Sequence, residues 1–181
     1  LVPAKGHEFL FRAVALLKDK QPDLRILVLG EGRLEPSLRA LAQSLNIDSM
    51  VHWAGFRDDM ADCVQAFDIG VQPSIDCDTS SFSLKEQMAA GKPVVASDYG
   101  GLVEIVRDGE EGFIVPAGAH EPLAKAIEEL VANPELRASM GEAGRRRVLD
   151  EFTVQIFARR TVEAYYQAME IHRKRHRNDA P

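Results

Sequence analysis

The sequence predicts an α/β fold of the Rossmann-like, doubly wound type, in which helices cover both faces of a mostly parallel sheet. Short β-rich runs alternate along the chain with helical patterns. Glycine and proline separate the two kinds of segment, and no repeat or low-complexity linker interrupts them. A length of 181 residues suits one domain with a substantial core and is short for two.

Five short runs carry the strand pattern: Arg25–Leu29, Met50–Trp53, Ile69–Gln72, Pro93–Ala96 and Phe113–Val115. Parallel strands that are buried on both faces appear in a sequence as such nearly continuous apolar runs. The ligand of an open α/β sheet binds beyond the carboxyl ends of its strands. We therefore expect the functional residues in the loops that follow these runs: 30–33, 54–57, 73–84 and 97–101.

Apolar residues at helical spacing fill the intervals between the strands. They predict helices over 9–17, 34–45, 84–90 and 123–131, and a long last helix from Thr153 to about Arg173. Asn133-Pro134 predicts a cap followed by a first helical residue. Gly141 and Gly144 are expected to interrupt the helix that follows. The expected organisation is one domain over 1–152, a helix over 153–175 and a tail over 176–181.

The formal net charge of −6 argues against a general nucleic-acid-binding protein. One basic run, His172–Arg177, either contacts acidic lipid headgroups or nucleic acid, or is a solvated helix end that the helix dipole favours. The apolar runs are too short to cross a bilayer, and no secretory leader precedes the first helical pattern. Cys63 and Cys77 lack metal-ligand spacing and suggest reduced thiols. We expect a cytoplasmic protein, with the inner face of the membrane as a candidate peripheral contact.

The turn at Gly30–Glu35 follows a strand and opens a helix, which is the position of a phosphate-binding turn. It carries the first two glycines of the dinucleotide fingerprint, but Glu35 stands where the third would be. An NAD-dependent oxidoreductase is therefore disfavoured. A tight strand-to-helix turn explains these glycines equally well, and the same two interpretations, turn or close approach to a ligand, apply to Gly100-Gly101.

The loop from Pro73 to Leu84 is rich in hydroxyl and acidic residues and enters a helix. Its hydroxyls either cap the exposed N–H groups, or leave those groups and the helix dipole to hold a diphosphate. Asp78 and Glu86 lie eight residues apart, about 12 Å along a helix. Hydrolytic acid pairs are about 5–5.5 Å or 6.5–9.5 Å apart, so two separate hydrogen-bonding tasks on one ligand fit better.

Three further side chains, His52, Trp53 and His7, show no pattern that predicts a function. His52 and Trp53 are interpreted as packing residues of a short strand. His7 begins a helix and has no partner at metal-ligand spacing. No spacing supports a nucleophilic hydrolase.

Taken in their order along the chain, several short segments resemble the C-terminal, donor-binding domain of retaining GT-B glycosyltransferases. These form the group 1 family, which is related to glycogen and sucrose synthases. The resemblance runs from Leu1 to about Tyr166, and the order and spacing of its pieces make it specific. The pieces are Lys5-Gly6, Leu29-Gly-Glu-Gly32, Trp53-Ala-Gly-Phe56, Asp68–Ser74, Lys85–Val95, Gly100-Gly101 with Glu104, and Asp108–Phe113.

The resemblance implies a role for each site residue. In the family's E-x7-E pattern the first acid bonds the sugar hydroxyls and the second bonds the ribose. Here Asp78, one methylene shorter, takes the first position and Glu86 the second. The backbone of Ser81, Phe82, Ser83 and Leu84 would line the diphosphate, with Gly6 and Gly32 in its surroundings. Phe56 and Arg57 would lie near the base.

Lys5 resembles the family lysine that neutralises the diphosphate, with a companion arginine expected just before Leu1. The resemblance thus implies a UDP-, GDP- or ADP-sugar donor, no metal or other cofactor, and an acceptor-binding domain on the N-terminal side. The last helix would cross toward that domain. A molecule at a membrane surface is a candidate acceptor. Asp76-Cys-Asp78 formally spells the metal signature D-x-D, but the E-x7-E interpretation is preferred. A non-catalytic module that binds a nucleotide or nucleotide sugar remains the alternative.

Overall fold

The computed structural model describes residues 1–178. The chain forms two compact units, one from Leu1 to Arg145 and a second that begins at Arg146. All five strands belong to the first unit. The predicted tail over 176–181 lies partly outside the described residues.

The five predicted strands are confirmed, with ends that differ by one or two residues. They are β1 (Ile26–Leu29), β2 (Val51–Gly55), β3 (Gly70–Gln72), β4 (Val94–Ser97) and β5 (Gly112–Val115). Every pairing is parallel, as expected for strands joined by helical crossovers. β4 is buried at all four positions, which explains its unbroken apolar sequence.

Eight α-helices are present in the described residues. They are α1 (His7–Leu17), α2 (Glu35–Ser44), α3 (Met60–Gln65), α4 (Phe82–Ala89), α5 (Leu102–Ile105), α6 (His120–Ala132), α7 (Pro134–Glu151) and α8 (Val154–Asn178). The sequence patterns missed α3 and α5 because two turns or fewer are too short to show a helical period. The Asn133 carboxamide oxygen accepts from the Leu136 amide at 3.0 Å, which confirms the predicted cap of α7.

The expected interruption at Gly141 and Gly144 is wrong, because α7 is continuous through both positions. Both glycines are buried. A Cβ atom on Gly141 would lie 2.0 Å from the carbonyl oxygen of Gly91. Glycine is therefore required here because the helix packs directly on the turn before β4, and not because the helix ends.

The strands form two parallel sheets instead of the single sheet expected. Within the described residues, hydrogen bonds join β1 to β2 and, separately, β3 to β4 and β4 to β5. Helix α1 packs against both groups. Its Phe11 and Val14 belong to a core cluster with β1 and α2, whereas Ala13 and Leu17 belong to a cluster with β4, β5 and α6.

The segment Leu1–Gly6 lies between the loops that follow β1 and β3. The Leu34 amide donates to the Leu1 carbonyl at 3.4 Å, and the Ile75 amide donates to the Ala4 carbonyl at 2.9 Å. Gly6 adopts a left-handed conformation with φ +64°, and a Cβ atom there would lie 1.9 Å from the Pro73 carbonyl oxygen. This close approach places Lys5 at the carboxyl end of β3.

Trp53 and His52 are neighbours in β2 but differ in packing. The Trp53 ring packs edge-on against Phe11, with ring centroids 5.7 Å apart, which confirms its packing role. His52 is exposed, so the packing interpretation of that residue is wrong. Successive side chains of a strand point to opposite faces, and only one of these two can face α1.

The predicted last helix is confirmed as α8, which begins one residue later than expected and extends to Asn178. The Ile156 amide donates to the Thr153 hydroxyl at 3.4 Å at its start. The basic run lies at the carboxyl end of this helix, where the helix dipole favours positive charge. Side chains beyond Lys174 lie outside the described residues.

No helix among residues 1–178 has both the length and the apolar composition needed to cross a bilayer.

Leu17→Ala should lower the free energy of unfolding by about 2–5 kcal/mol, because the substitution empties a fully packed core position. Leu17 is 2% exposed, whereas its neighbour Leu16 is 52% exposed on the same helix. Leu16→Ala is thus a matched control and should change stability by about 0.5 kcal/mol or less. Urea denaturation measures both. Equal losses would contradict the assignment of Leu17 to the core.

Gly6→Ala should destabilise the protein more than Gly109→Ala. Both glycines have positive φ, +64° and +80°, so both variants carry the left-handed cost of roughly 1–2 kcal/mol. A Cβ atom on Gly109 meets nothing within 4 Å, whereas one on Gly6 meets the Pro73 backbone. The difference in unfolding free energy between the two variants therefore reports the close approach. Identical losses would show that the backbone there can move apart at no cost.

Candidate functional site

The loops that follow β3 and β4 are held together at the carboxyl edge of the sheet. The Ser97 hydroxyl donates to the Ser74 carbonyl, and the Gly101 amide donates to the Asp78 carbonyl at 3.0 Å. A Cβ atom on Gly100 would lie 2.1 Å from the same carbonyl oxygen. Gly100 has φ +56° and the Leu102 amide donates to the Tyr99 carbonyl at 3.2 Å, which confirms the tight-turn interpretation of the paired glycines. They also permit close packing on the loop after β3, which the sequence did not predict.

Asp78 lies at the centre of a buried polar network. Its side chain is 4% exposed. Its Oδ2 accepts from the Ser74 hydroxyl at 2.7 Å, from the Lys5 ammonium at 2.9 Å and from the Gln72 carboxamide at 3.0 Å. The carboxamide oxygen of Gln72 in turn accepts from the Ser83 hydroxyl at 3.0 Å. The network joins the N-terminal segment, the end of β3 and the start of α4.

The balance of burial and hydrogen bonding keeps Asp78 ionised. Burial by itself raises the pKa of this carboxyl group, but the Ser74 hydroxyl, the hydrogen bond and charge of Lys5, and Gln72 together outweigh it, so the pKa is lowered. Asp78 therefore carries a negative charge at neutral pH, and Lys5 is its counter-charge.

The start of α4 is capped by Ser81. Its hydroxyl accepts from the Leu84 amide at 3.2 Å, which confirms the capping interpretation of this serine. The amides of Phe82 and Ser83 belong to the first turn, where a helix offers no acceptor of its own. These N–H groups and the positive end of the helix dipole form a local environment that favours an anion. The Phe82 ring beside them is 77% exposed.

Glu86 is exposed on α4, two residues beyond the capped residue Leu84. Among the described residues, no hydrogen bond or ion pair engages its carboxylate. Asp78 and Glu86 therefore differ in kind, since Asp78 is buried and bonded through its Oδ2 atom, whereas Glu86 faces solvent. A hydrolytic pair of equivalent acids does not fit this arrangement.

Phe56 and Arg57 follow β2, as the sequence predicts, and both are exposed. The Phe56 ring is 75% exposed and offers a free aromatic face. The guanidinium of Arg57 is held by two hydrogen bonds to the Asp59 carboxylate, one of them 2.7 Å from Nε to Oδ1. This contact raises the pKa of Arg57 and lowers the pKa of Asp59, so both remain charged.

The loop after β1 borders an open cavity of about 680 Å³, which also reaches α2 and the end of β2. Gly32 lies in this loop, and a Cβ atom there would lie 1.9 Å from the Leu1 backbone nitrogen. The need for glycine at position 32 therefore comes from the N-terminal segment. Across the cavity, the Arg39 guanidinium lies 4.6 Å from the Trp53 ring centroid and also bonds Glu35 at 2.7 Å.

His7, the first residue of α1, is close to Lys5 in the chain. Burial, which is the largest cause, and the charge of Lys5 lower its pKa below the ordinary value, so the imidazole is neutral at pH 7. Its Nδ1 is buried without a hydrogen-bond partner in the structure. Within residues 1–178, no group of three or more His, Cys, Asp or Glu side chains is arranged to hold a metal ion.

Sequence reasoning missed the partners of Asp78 and Arg57. Gln72 and Ser74 are polar residues at the end of a buried strand, and a polar residue in an apolar run is the signal that could have identified them. Asp59 stands two positions after Arg57, but a local pairing of this kind has no distinctive sequence pattern. Asp76 bonds the Tyr99 hydroxyl at 3.1 Å, a contact between residues 23 positions apart that no spacing rule predicts.

The fold is similar to that of solved glycosyltransferase structures. A C-terminal domain of a group 1 family glycosyl transferase (LpcC) from Francisella tularensis matches with a TM-score of 0.75 and 21% identity, over 85% of this chain and 83% of that one. An Anabaena protein, HepE, solved in complex with UDP-glucose, matches with a TM-score of 0.85 and 25% identity, over 92% of this chain and 46% of that one. The architecture is the Rossmann-like one of GT-B glycosyltransferases.

Sequence comparison agrees with the structural likeness. A putative glycosyltransferase, EpsD, of Bacillus subtilis is 38% identical over 145 residues, which is 80% of this chain and 38% of that protein. The chain thus spans less than half the length of this curated relative. The family model described as "Glycosyl transferases group 1" matches residues 1–147. The chain therefore belongs to the group 1 family of glycosyl transferases.

Proposed function

We propose that this chain is the donor-binding domain of a glycosyltransferase that takes a sugar from a nucleotide diphosphate and transfers it with retention of anomeric configuration. One observation carries the proposal. The Lys5 ammonium, which is 39% exposed, is linked through Asp78, Gln72 and Ser83 to the open first turn of α4. A fixed cation and a helix N-terminus on one edge of the sheet are together suited to a diphosphate.

The chemistry of transfer explains why this arrangement would matter. As the bond from sugar to diphosphate breaks, negative charge grows on the leaving diphosphate while the anomeric carbon becomes cationic. Preorganised positive groups stabilise such developing charge without reorganising during the reaction. Lys5 and the amides of Phe82 and Ser83 would do so. Because these groups supply positive charge, we propose that transfer needs no metal, and a chelator should leave the rate unchanged.

The remaining site residues would contact the rest of the donor. The free carboxylate of Glu86 would accept from the ribose hydroxyls, and the exposed Phe56 ring would pack near the base, with Arg57 beside it. The Anabaena protein solved with UDP-glucose supports a nucleotide-sugar ligand for this fold. We propose a UDP-, GDP- or ADP-sugar as the donor class.

The acceptor would bind to another part of the protein. The chain spans 38% of the Bacillus relative, and we propose that an N-terminal domain binds the acceptor while α8 crosses toward it. We further propose a cytoplasmic site of action, where the acceptor is presented at the inner face of the membrane.

A non-catalytic module that binds the same nucleotides is the second candidate. It is favoured by the burial of Asp78, because the acid expected to contact the sugar is withdrawn from solvent. Release of nucleotide from the donor, measured on a protein that includes the acceptor domain, separates the two functions. Binding without any turnover over a range of acceptors would support the module.

Calorimetric titration with UDP-, GDP- and ADP-sugars tests the proposed ligand class directly. At least one of the three should bind, and NAD should not. Binding of NAD alone would favour a dinucleotide-dependent oxidoreductase and contradict the proposal.

Glu86→Ala should weaken nucleotide binding by about 1.5–3 kcal/mol, which is the range for loss of a hydrogen bond to a charged group. Glu129→Ala is the matched control, because it removes the same charge from an exposed position on α6 and should leave affinity unchanged. Isothermal titration calorimetry measures both variants. An unaltered affinity in Glu86→Ala would exclude the ribose contact.

A further inference from the structure

The Oδ2 atom of Asp78 is engaged inside the protein. A carboxylate oxygen offers about two acceptor sites, and Oδ2 already takes donors from Ser74, Lys5 and Gln72. The side chain is 4% exposed, and all three donors meet the same oxygen, Oδ2, on the side of Lys5 and the end of β3.

We propose that Asp78 is a positioning residue, which holds the Lys5 ammonium toward the diphosphate. The inference rests on the proposed function and assigns within it a role to the acid at position 78. The Lys5 ammonium has three donors, of which one bonds Asp78 at 2.9 Å. The other two remain for a ligand at the partly exposed edge.

Holding Lys5 in advance has a physical benefit. A free lysine side chain samples many rotamers, and ordering it when a ligand binds costs conformational entropy. The ion pair with a buried carboxylate imposes that order before the ligand arrives. Preorganised groups bind more tightly than mobile ones because this cost has already been met.

The orientation of Asp78 is itself determined by the protein. Ser74 and Gln72 fix Oδ2, and Ser83 fixes the Gln72 carboxamide from the first turn of α4. The Lys5 ammonium is therefore held in a fixed position relative to the start of α4, which would bind the same diphosphate.

A double-mutant cycle on the 181-residue chain tests the inference, with Asp78→Asn, Lys5→Met and the double variant titrated with UMP, UDP and UDP-glucose. Asp78→Asn should weaken UDP and UDP-glucose by the same factor, about tenfold for a directly coupled pair, and UMP much less. In the Lys5→Met background, Asp78→Asn should cause no further loss. This non-additivity is the signature of action through Lys5.

Asp76→Asn is the control for charge alone. Asp76 lies two residues away and is exposed, and its carboxylate bonds Tyr99 and Cys77 instead of Lys5. Its substitution should leave UDP affinity unchanged. An equal loss in Asp76→Asn would overturn the inference, because removal of any nearby negative charge would then suffice.

Two other results would also overturn it. A loss confined to UDP-glucose would mean that Asp78 contacts the sugar directly, and an unchanged or increased affinity for UDP would mean that Lys5 needs no positioning. If Asp78→Asn does not fold, Ser74→Ala serves as the second variant. It removes the shortest bond to Oδ2 but keeps the charge, and it should give a smaller loss with the same pattern across the three ligands.

A measurement without ligand separates failure of this inference from failure of the proposed function. Carbon NMR of the Asp78 carboxyl group in the free protein should give a pKa below the ordinary value, and Lys5→Met should raise it. A chain that binds no nucleotide would contradict the proposed function. An Asp78 pKa that does not respond to Lys5→Met would overturn the pairing itself, whatever the chain binds.

Discussion

A buried carboxylate has to be neutralised, and this requirement organises the carboxyl edge of the sheet. An unpaired charge in a protein interior is strongly unfavourable, so Asp78 depends on Lys5 from the N-terminal segment and on Gln72 and Ser74 from the end of β3. The same group connects through Ser83 to α4. The N-terminal segment thus balances the charge of a carboxylate that lies 73 positions later in the chain, and removal of any one partner leaves buried polar groups unsatisfied.

Close backbone contacts hold these segments at the distances that the network requires. Gly6 lies against Pro73, and Gly101 lies against Thr79, each at a separation that leaves no room for a Cβ atom. Helix α1, which follows Gly6, packs into both core clusters and so fixes the segment that carries Lys5. The packing of α1 into the core therefore also determines where Lys5 lies.

Three charged side chains of the candidate site differ in exposure. Asp78 is buried, Lys5 is partly exposed and Glu86 is exposed. Under the proposed function, a donor at this edge would meet the Lys5 ammonium and the open first turn of α4, while Asp78, which holds that ammonium, lies buried behind it. Glu86 would contact another part of the donor, so the two acids of one sequence pattern would perform different tasks.

The sequence by itself determined the alternation of strands and helices, the loops that carry the site and the family, because apolar periodicity, turn residues and the order of short motifs are local properties. It did not determine that α7 passes unbroken through Gly141, that His52 faces solvent or that β1 and β2 form a sheet separate from that of β3, β4 and β5. Nor could it show that Asp78 is buried against Lys5, 73 positions earlier in the chain. These features depend on which distant backbones meet, and only the tertiary structure decides that. Local patterns identify which residues an element contains, whereas burial and partnership arise when elements pack.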